Sequence, residues 1–233
     1  MISGLRWVSD ALFPRGANEH GILPALLIML TVTTGLVDAV SFLGLNRVFV
    51  ANMTGNVMFV GFALAGDREL SVWASLLALA AFVTGAWSTG RLARWMRDVR
   101  REFTALTIMH AILVAVALLV VWSAGYRETG AQVALIGLLG YGMGLQNAAA
   151  HRLAVPDLVT ITVLTSTLTR LAVDPPGYAG LRRSVLIVAL FTGGLTGAVL
   201  HLNVGPVSAL TAALILLVAV ACASRSIRYG ESR

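Results

Sequence analysis

The sequence has no lysine and a single cysteine, and only 12% of its 233 residues are charged. Each shortage excludes something. Without lysine no Walker A phosphate loop can be written. Cys222 alone can form neither an internal disulfide nor a cysteine metal site. His110, His151 and His201 are scattered, with no H-E-x-x-H, paired carboxylates or G-x-S-x-G beside them. They read as interfacial or hydrogen-bonded histidines, so no metal, cofactor or catalytic residue is expected and the chain is not read as an enzyme. Soluble domains average about 25% charged residues, roughly twice what is found here.

What is present instead is apolar surface. The chain is 58% hydrophobic, its mean hydropathy is +0.84, and several uncharged runs approach ~20 residues, the length that crosses a bilayer as a helix. The net charge of +6 is carried wholly by arginine. A basic soluble chain would suggest nucleic acid, but these arginines fall between apolar runs and mark membrane topology instead. The lipid bilayer is the expected partner, and nucleic acid is not.

Apolar segments lie at residues 22–45, 48–66, 71–95, 104–123, 131–152, 158–173, 183–202 and 205–223. The first long run starts only near Gly21, which argues against a cleaved signal peptide. Residues 2–13 read either as a short interfacial helix or as a frayed tail, within an N-terminal tail of residues 1–20. The linkers are short and hold most of the charges, so residues 1–233 form one transmembrane domain.

Arginine placement chooses between two topologies. Eight full spans would put seven arginines on one side and ten on the other, which discriminates little. If the second and sixth segments enter and leave on one face, fourteen arginines gather on one side and only Arg47, Arg68 and Arg127 on the other. The expectation is therefore an all-α polytopic membrane protein with six full transmembrane helices plus two broken or re-entrant segments, both termini being cytoplasmic. Trp73, Trp95 and Trp122 near span ends suit an aromatic belt.

The halves echo one another, residues 22–123 against 131–223. Gly35-Leu36-Val37-Asp38-Ala39 resembles Gly144-Leu145-Gln146-Asn147-Ala148, residues 50–56 resemble 161–167, and Phe82-Val83-Thr84-Gly85-Ala86 resembles Leu190-Phe191-Thr192-Gly193-Gly194. With six spans the second half is inverted relative to the first, as in many secondary transporters, where paired interrupted segments point to the binding site.

Polar residues inside these segments are the candidate site. An acid at bilayer depth costs roughly 2.5–3.5 kcal/mol on insertion scales and usually marks function. Asp38 could carry a coupling proton or balance a cationic substrate. It could equally pair with Arg47 or accept hydrogen bonds from Asn52 or Asn56. Asn52, Thr54, Gly55 and Asn56 suit a helix break, with Thr54 or Asn52 as a half-helix cap. Asn147 occupies the place equivalent to Asp38. Thr162, Thr165 and Thr169 fall at helical spacing and could line a cavity, or could only bond their own helix backbone. Gly35, Gly55, Gly85, Gly144 and Gly193 read as helix-break or packing glycines, and Gly140/Gly144 and Gly193/Gly197 form small-xxx-small pairs.

The run Asp38-Ala39-Val40-Ser41-Phe42, followed by Phe49-Val50-Ala51-Asn52-Met53-Thr54-Gly55-Asn56, resembles the bacterial YoaK-like family. Asn147-Ala148, Val155-Pro156-Asp157 and the threonine run to Thr169 are similar too, so the resemblance spans about residues 22–223. Ser166 stands where the family pattern would lead one to expect glycine. The resemblance implies a small bacterial inner-membrane protein, grouped as a domain of unknown function, and names no substrate. The reading reached is a secondary transporter of a small polar solute or ion, proton-coupled through Asp38. A channel with paired half-helices and a non-transporting membrane scaffold are the alternatives.

Overall fold

The fold is seen in a computed structural model that describes residues 2–14, 16–96, 98–158 and 164–225. Among these residues the secondary structure is wholly helical: α1 (Ile2–Ala11), α2 (Leu23–Gly44), α3 (Met53–Leu64), α4 (Val72–Leu92), α5 (Val99–Ala124), α6 (Thr129–Leu153), α7 (Leu164–Val173), α8 (Tyr178–Asn203) and α9 (Pro206–Arg225). Six of them, all except α1, α3 and α7, are long and apolar enough to cross a membrane. This is a polytopic all-α membrane protein with two short helices set among six long ones.

Local chemistry starts and stops the helices. Pro24 sits in the first turn of α2, where its missing N–H costs nothing. Ser71 accepts from the Ala74 amide to cap α4, and Asp98 accepts from the Arg100 and Arg101 amides to cap α5. Gly125, at φ 74°, ends α5 in a conformation that side chains disfavour. The N-terminal segment is helical, and the Ala25 amide donates to Ser9 Oγ, tying α1 to the start of α2 while Trp7 stays exposed. The segment is thus a helix docked on α2 and not a frayed tail.

Glycine sets how the long helices meet. A Cβ on Gly193 would strike the Val32 carbonyl, and one on Gly35 would strike the Leu190 carbonyl and the Gly194 amide. At the other crossing, a Cβ on Gly85 would strike the Tyr141 carbonyl and one on Gly144 the Phe82 carbonyl. In lipid, helices gain little from hiding apolar side chains from each other, so backbone approach over small residues supplies the packing. The contacts also give direction. Val32 meets Gly193, Ala39 meets Gly197 and Gly44 meets His201, so α2 and α8 run parallel. Ala81 meets Gly140 and Phe82 meets Gly144, so α4 and α6 run parallel as well. Asn46 beyond the end of α2 bonds Gln132 near the start of α6, whereas Thr34 bonds Gln146 further along α6. Thus α2 and α6 run antiparallel.

That antiparallel pairing overturns eight full spans, which would make α2 and α6 parallel. Side-chain pairs at the ends of the short helices agree. Arg47, just after α2, pairs at 2.9 Å with Glu69, just after α3, so the segment holding α3 returns to the face it left. Asp157 before α7 and Asp174 after it both bond Arg183 at the start of α8, at 2.8 and 2.5 Å, so the segment holding α7 returns to the opposite face. The reversal into each segment uses left-handed non-glycine residues, Asn46 and Arg47 (φ 53° each) in the first and Ala154 (φ 50°) and Asp157 (φ 58°) in the second. The first short helix is shorter than the apolar segment that contains it because residues 48–52 are irregular backbone, and residues 154–158 leading toward α7 are irregular too.

The two faces differ in electrostatics. Arg47–Glu69 is exposed, 56% and 69% for the two side chains, and such a pair contributes little. Asp157 is 13% exposed and receives Arg182 Nη2 at 2.7 Å as well as Arg183 Nε at 3.0 Å. Burial opposes ionisation of Asp157, but the hydrogen bonds and charges of Arg182 and Arg183 outweigh it and hold its carboxyl below the usual carboxylate range.

Two measurements follow from this packing. Gly193→Leu or Gly85→Leu is expected to cost about 1–3 kcal/mol by overpacking a crossing, seen as a lower thermal midpoint in detergent, while Gly137→Ala, whose Cβ would meet nothing, is neutral. Asp157→Asn, which keeps the left-handed backbone, is expected to cost about 3 kcal/mol by leaving two nearly buried guanidinium groups undercompensated. Because the folded carboxyl titrates below its unfolded value near ~4, its stabilisation is complete above that pH and is lost as pH falls through the folded value. The wild-type midpoint should drop on acidification through that window, and the Asn variant should lack this component.

Candidate functional site

An apolar bundle can hold irregular backbone only where something satisfies its polar groups. Residues 48–52 are such a stretch. The Val50 and Ala51 amides donate to Asp38 Oδ1 at 3.0 and 2.8 Å. The Phe49 amide donates to Asn56 Oδ1 at 3.0 Å, and Asn56 Nδ2 donates back to the Phe49 carbonyl at 2.6 Å. One acid and one amide side chain thus hold the loop that leads into α3. Two expected partners of Asp38 are engaged elsewhere, Arg47 with Glu69 and Asn56 with Phe49, while Asn52 does serve it, through its main-chain amide beside those of Val50 and Ala51. The cap of α3 is Asn52, accepting from the Gly55 amide at 3.4 Å, and Thr54 lies inside the helix.

Beside this loop the starts of α3 and α7 open on one cavity of about 700 Å³. Its polar wall comes from both halves of the chain: Asp38, Asn52 and Thr54 from the first, Asn147 and Thr165 from the second. Gly35 and Gly55 also line it. Asp38 and Asn147 are each half-buried, one on α2 and one on α6. Five of the polar residues singled out in the sequence therefore meet at one place, although 93 positions separate Thr54 from Asn147.

Others lie elsewhere. Asn56 is fully buried, bonded to Phe49, and is not on the cavity wall. Gly85, Gly144 and Gly193 sit at the helix crossings. Thr162 lies outside the described residues. Thr169 donates to the Thr165 carbonyl of its own helix, the backbone-bonding alternative. His110 is not interfacial: it is fully buried on α5 with its ring against Gly142 of α6.

The structure adds residues that pattern reading passed over. Gln146, buried on α6, donates to the Leu30 carbonyl and Thr34 Oγ1 of α2 at 3.3 and 3.1 Å, joining the halves at the cavity wall. Its signal in the sequence was a second amide directly before Asn147 in an otherwise apolar run. Phe42 and Phe49 stack with centroids 4.8 Å apart on the cavity wall, backed by Phe59 at 5.7 Å from Phe49. Aromatic residues in a membrane segment carry no such signal, because nothing in their spacing distinguishes cavity from lipid.

Comparison with known proteins bears on the whole chain. No solved structure matches it. UPF0700 transmembrane protein YoaK of Bacillus subtilis (strain 168) is 35% identical over 158 residues, covering 65% of this chain and 67% of that protein. The family described as "Protein of unknown function (DUF1275)" matches residues 26–223, from the first turn of α2 to the last turn of α9, with α3 and α7 between them. On that match the chain belongs to the DUF1275 family of multi-pass transmembrane proteins.

Proposed function

We propose that this protein is a secondary transporter of a small polar organic solute, built as an inverted repeat, with the cavity between α3 and α7 as its substrate site. The observation that carries this reading is that cavity: about 700 Å³, beside two non-crossing segments and lined from both halves. Sites for small organic molecules run roughly 300–1,000 Å³, far larger than a single-file path for water or a bare ion. Irregular backbone facing a central cavity is how transporters present polar groups at membrane depth.

The repeat is supported by matching contacts. Gly35 and Gly144 correspond in sequence, as do Gly85 and Gly193, and the two crossings pair them in the same way, α2 on α8 and α6 on α4. Antiparallel α2 and α6 make the relation an inversion. In this reading Asn52 and Thr54 from one half and Asn147 and Thr165 from the other hydrogen-bond the solute. Asp38 supplies the charge that couples transport to protons or cations. Asn56 is left without a binding role because Phe49 occupies it. No chemical change of the solute is involved. The face bearing Arg91, Arg152, Arg182 and Arg183 is assigned to the cytoplasm and the face bearing Arg47, Arg68 and Arg127 to the exterior of a bacterial inner membrane.

Accessibility tests the reading. In a chain with Cys222→Ala, a cysteine at Thr54 or Thr165 is expected to react with impermeant maleimide from either face of reconstituted vesicles, with no steady ion current in planar bilayers. A cysteine at Asp67 should react only from the exterior and one at Gly177 only from the cytoplasmic face. A steady current would mean a channel, and failure of both cavity cysteines to react in folded protein would mean a scaffold. Either result overturns the reading.

A further inference from the structure

The cavity wall is chemically lopsided, and this bears on what can bind there. Among its described lining residues Asp38 is the only ionisable side chain. Among the described residues no arginine or histidine lines the cavity. The start of α3 supplies a helix N-terminus, worth roughly half a positive charge against one full negative charge. That positive end is also partly engaged, since Asn52 caps it and the amides just before it are bonded to Asp38. The balance at this end of the cavity is negative.

The apolar wall is equally specific. Phe42 stands one helical turn from Asp38 on α2, so an aromatic ring and the carboxylate share one face of that helix. Phe49 stacks on Phe42, and Met58 adds a polarisable, adaptable thioether. Aromatic faces attract cations, most strongly where water is excluded. A carboxylate beside stacked phenyl rings suits a positively charged head on an apolar body. The remaining polar lining groups, Thr34, Asn52, Thr54, Gln146, Asn147 and Thr165, are uncharged and do not change the sign.

We propose that the cavity binds solutes carrying a protonated amine and a small apolar body, the amine at Asp38 and the body against Phe42, Phe49 and Met58. The proposal rests on the reading of the cavity as a solute site and adds the sign and shape of the solute. An organic anion would meet the Asp38 carboxylate with no cation to offset it, and is disfavoured.

Three probes of one shape separate the possibilities: 2-phenylethylamine, 2-phenylethanol and 3-phenylpropionate, titrated calorimetrically against the purified full chain in detergent. The amine should bind at least about tenfold tighter than the alcohol, and the acid weakest. Asp38→Asn keeps an oxygen that can accept from Val50 and Ala51, and should abolish the preference for amine over alcohol. If that variant fails to fold, Phe42→Leu serves instead and should weaken amine binding more than alcohol binding. Tighter binding of the acid, a preference unchanged in both variants, or no binding by any probe overturns the amine assignment. The carrier reading stands or falls separately on the cysteine reactivity at Thr54 and Thr165.

Discussion

Two main-chain amides bonded to one carboxylate hold an irregular segment inside an apolar bundle, and much of the molecule is arranged around that interaction. Without Asp38, the Val50 and Ala51 amides would lie in low-dielectric surroundings with no acceptor, at a cost of roughly 1–3 kcal/mol each. Asn56 does the same for both polar groups of Phe49. Together they let the chain leave α2, turn back among the helices and start α3 at the cavity instead of at the surface. The acid that looks functional in the sequence is thus a structural acceptor as well, and the two roles are compatible because the residue is only half-buried and stands on the cavity wall.

Glycine provides the second condition. At the crossings of α2 with α8 and of α4 with α6, backbone lies on backbone with no room for a Cβ. Close approach there draws the long helices together. Thr31, Thr33 and Thr34 add polar groups to α2 without loosening it, because each hydroxyl donates to a carbonyl four residues earlier in the same helix. Gln146 is the exception: it spends its amide on the neighbouring helix and so fixes the separation of α2 and α6 at cavity level.

The proposed halves share the same pattern of glycine crossings but differ in side chains. Asp38 faces Asn147 in the proposed repeat, so the charge comes from one half alone. In the same repeat Phe42, Phe49 and Phe59 correspond to His151, Thr160 and Arg170, none of which is a phenylalanine. The return of α3 is tied by an exposed pair, Arg47–Glu69, while that of α7 is tied by the largely buried Asp157 with two arginines. The α7 side is therefore the more firmly anchored of the two.

Much of this was legible in the chain itself. Six long apolar helices follow from run length and composition, since a bilayer demands about 20 apolar residues per span. The two non-crossing segments followed from arginine placement, because charge bias records orientation independently of packing. Asp38, Asn52, Thr54, Asn147 and Thr165 stood out because polar groups are costly in such segments. The partners of those groups were decided only by tertiary structure. That Asp38 serves amides rather than Arg47, that Asn56 is consumed by Phe49, and that Gln146 bridges α2 and α6 depend on how irregular backbone descends between helices. No periodicity encodes that path. The phenyl wall was invisible for a related reason: lipid and cavity are both apolar, so a sequence cannot say which of the two a phenylalanine faces.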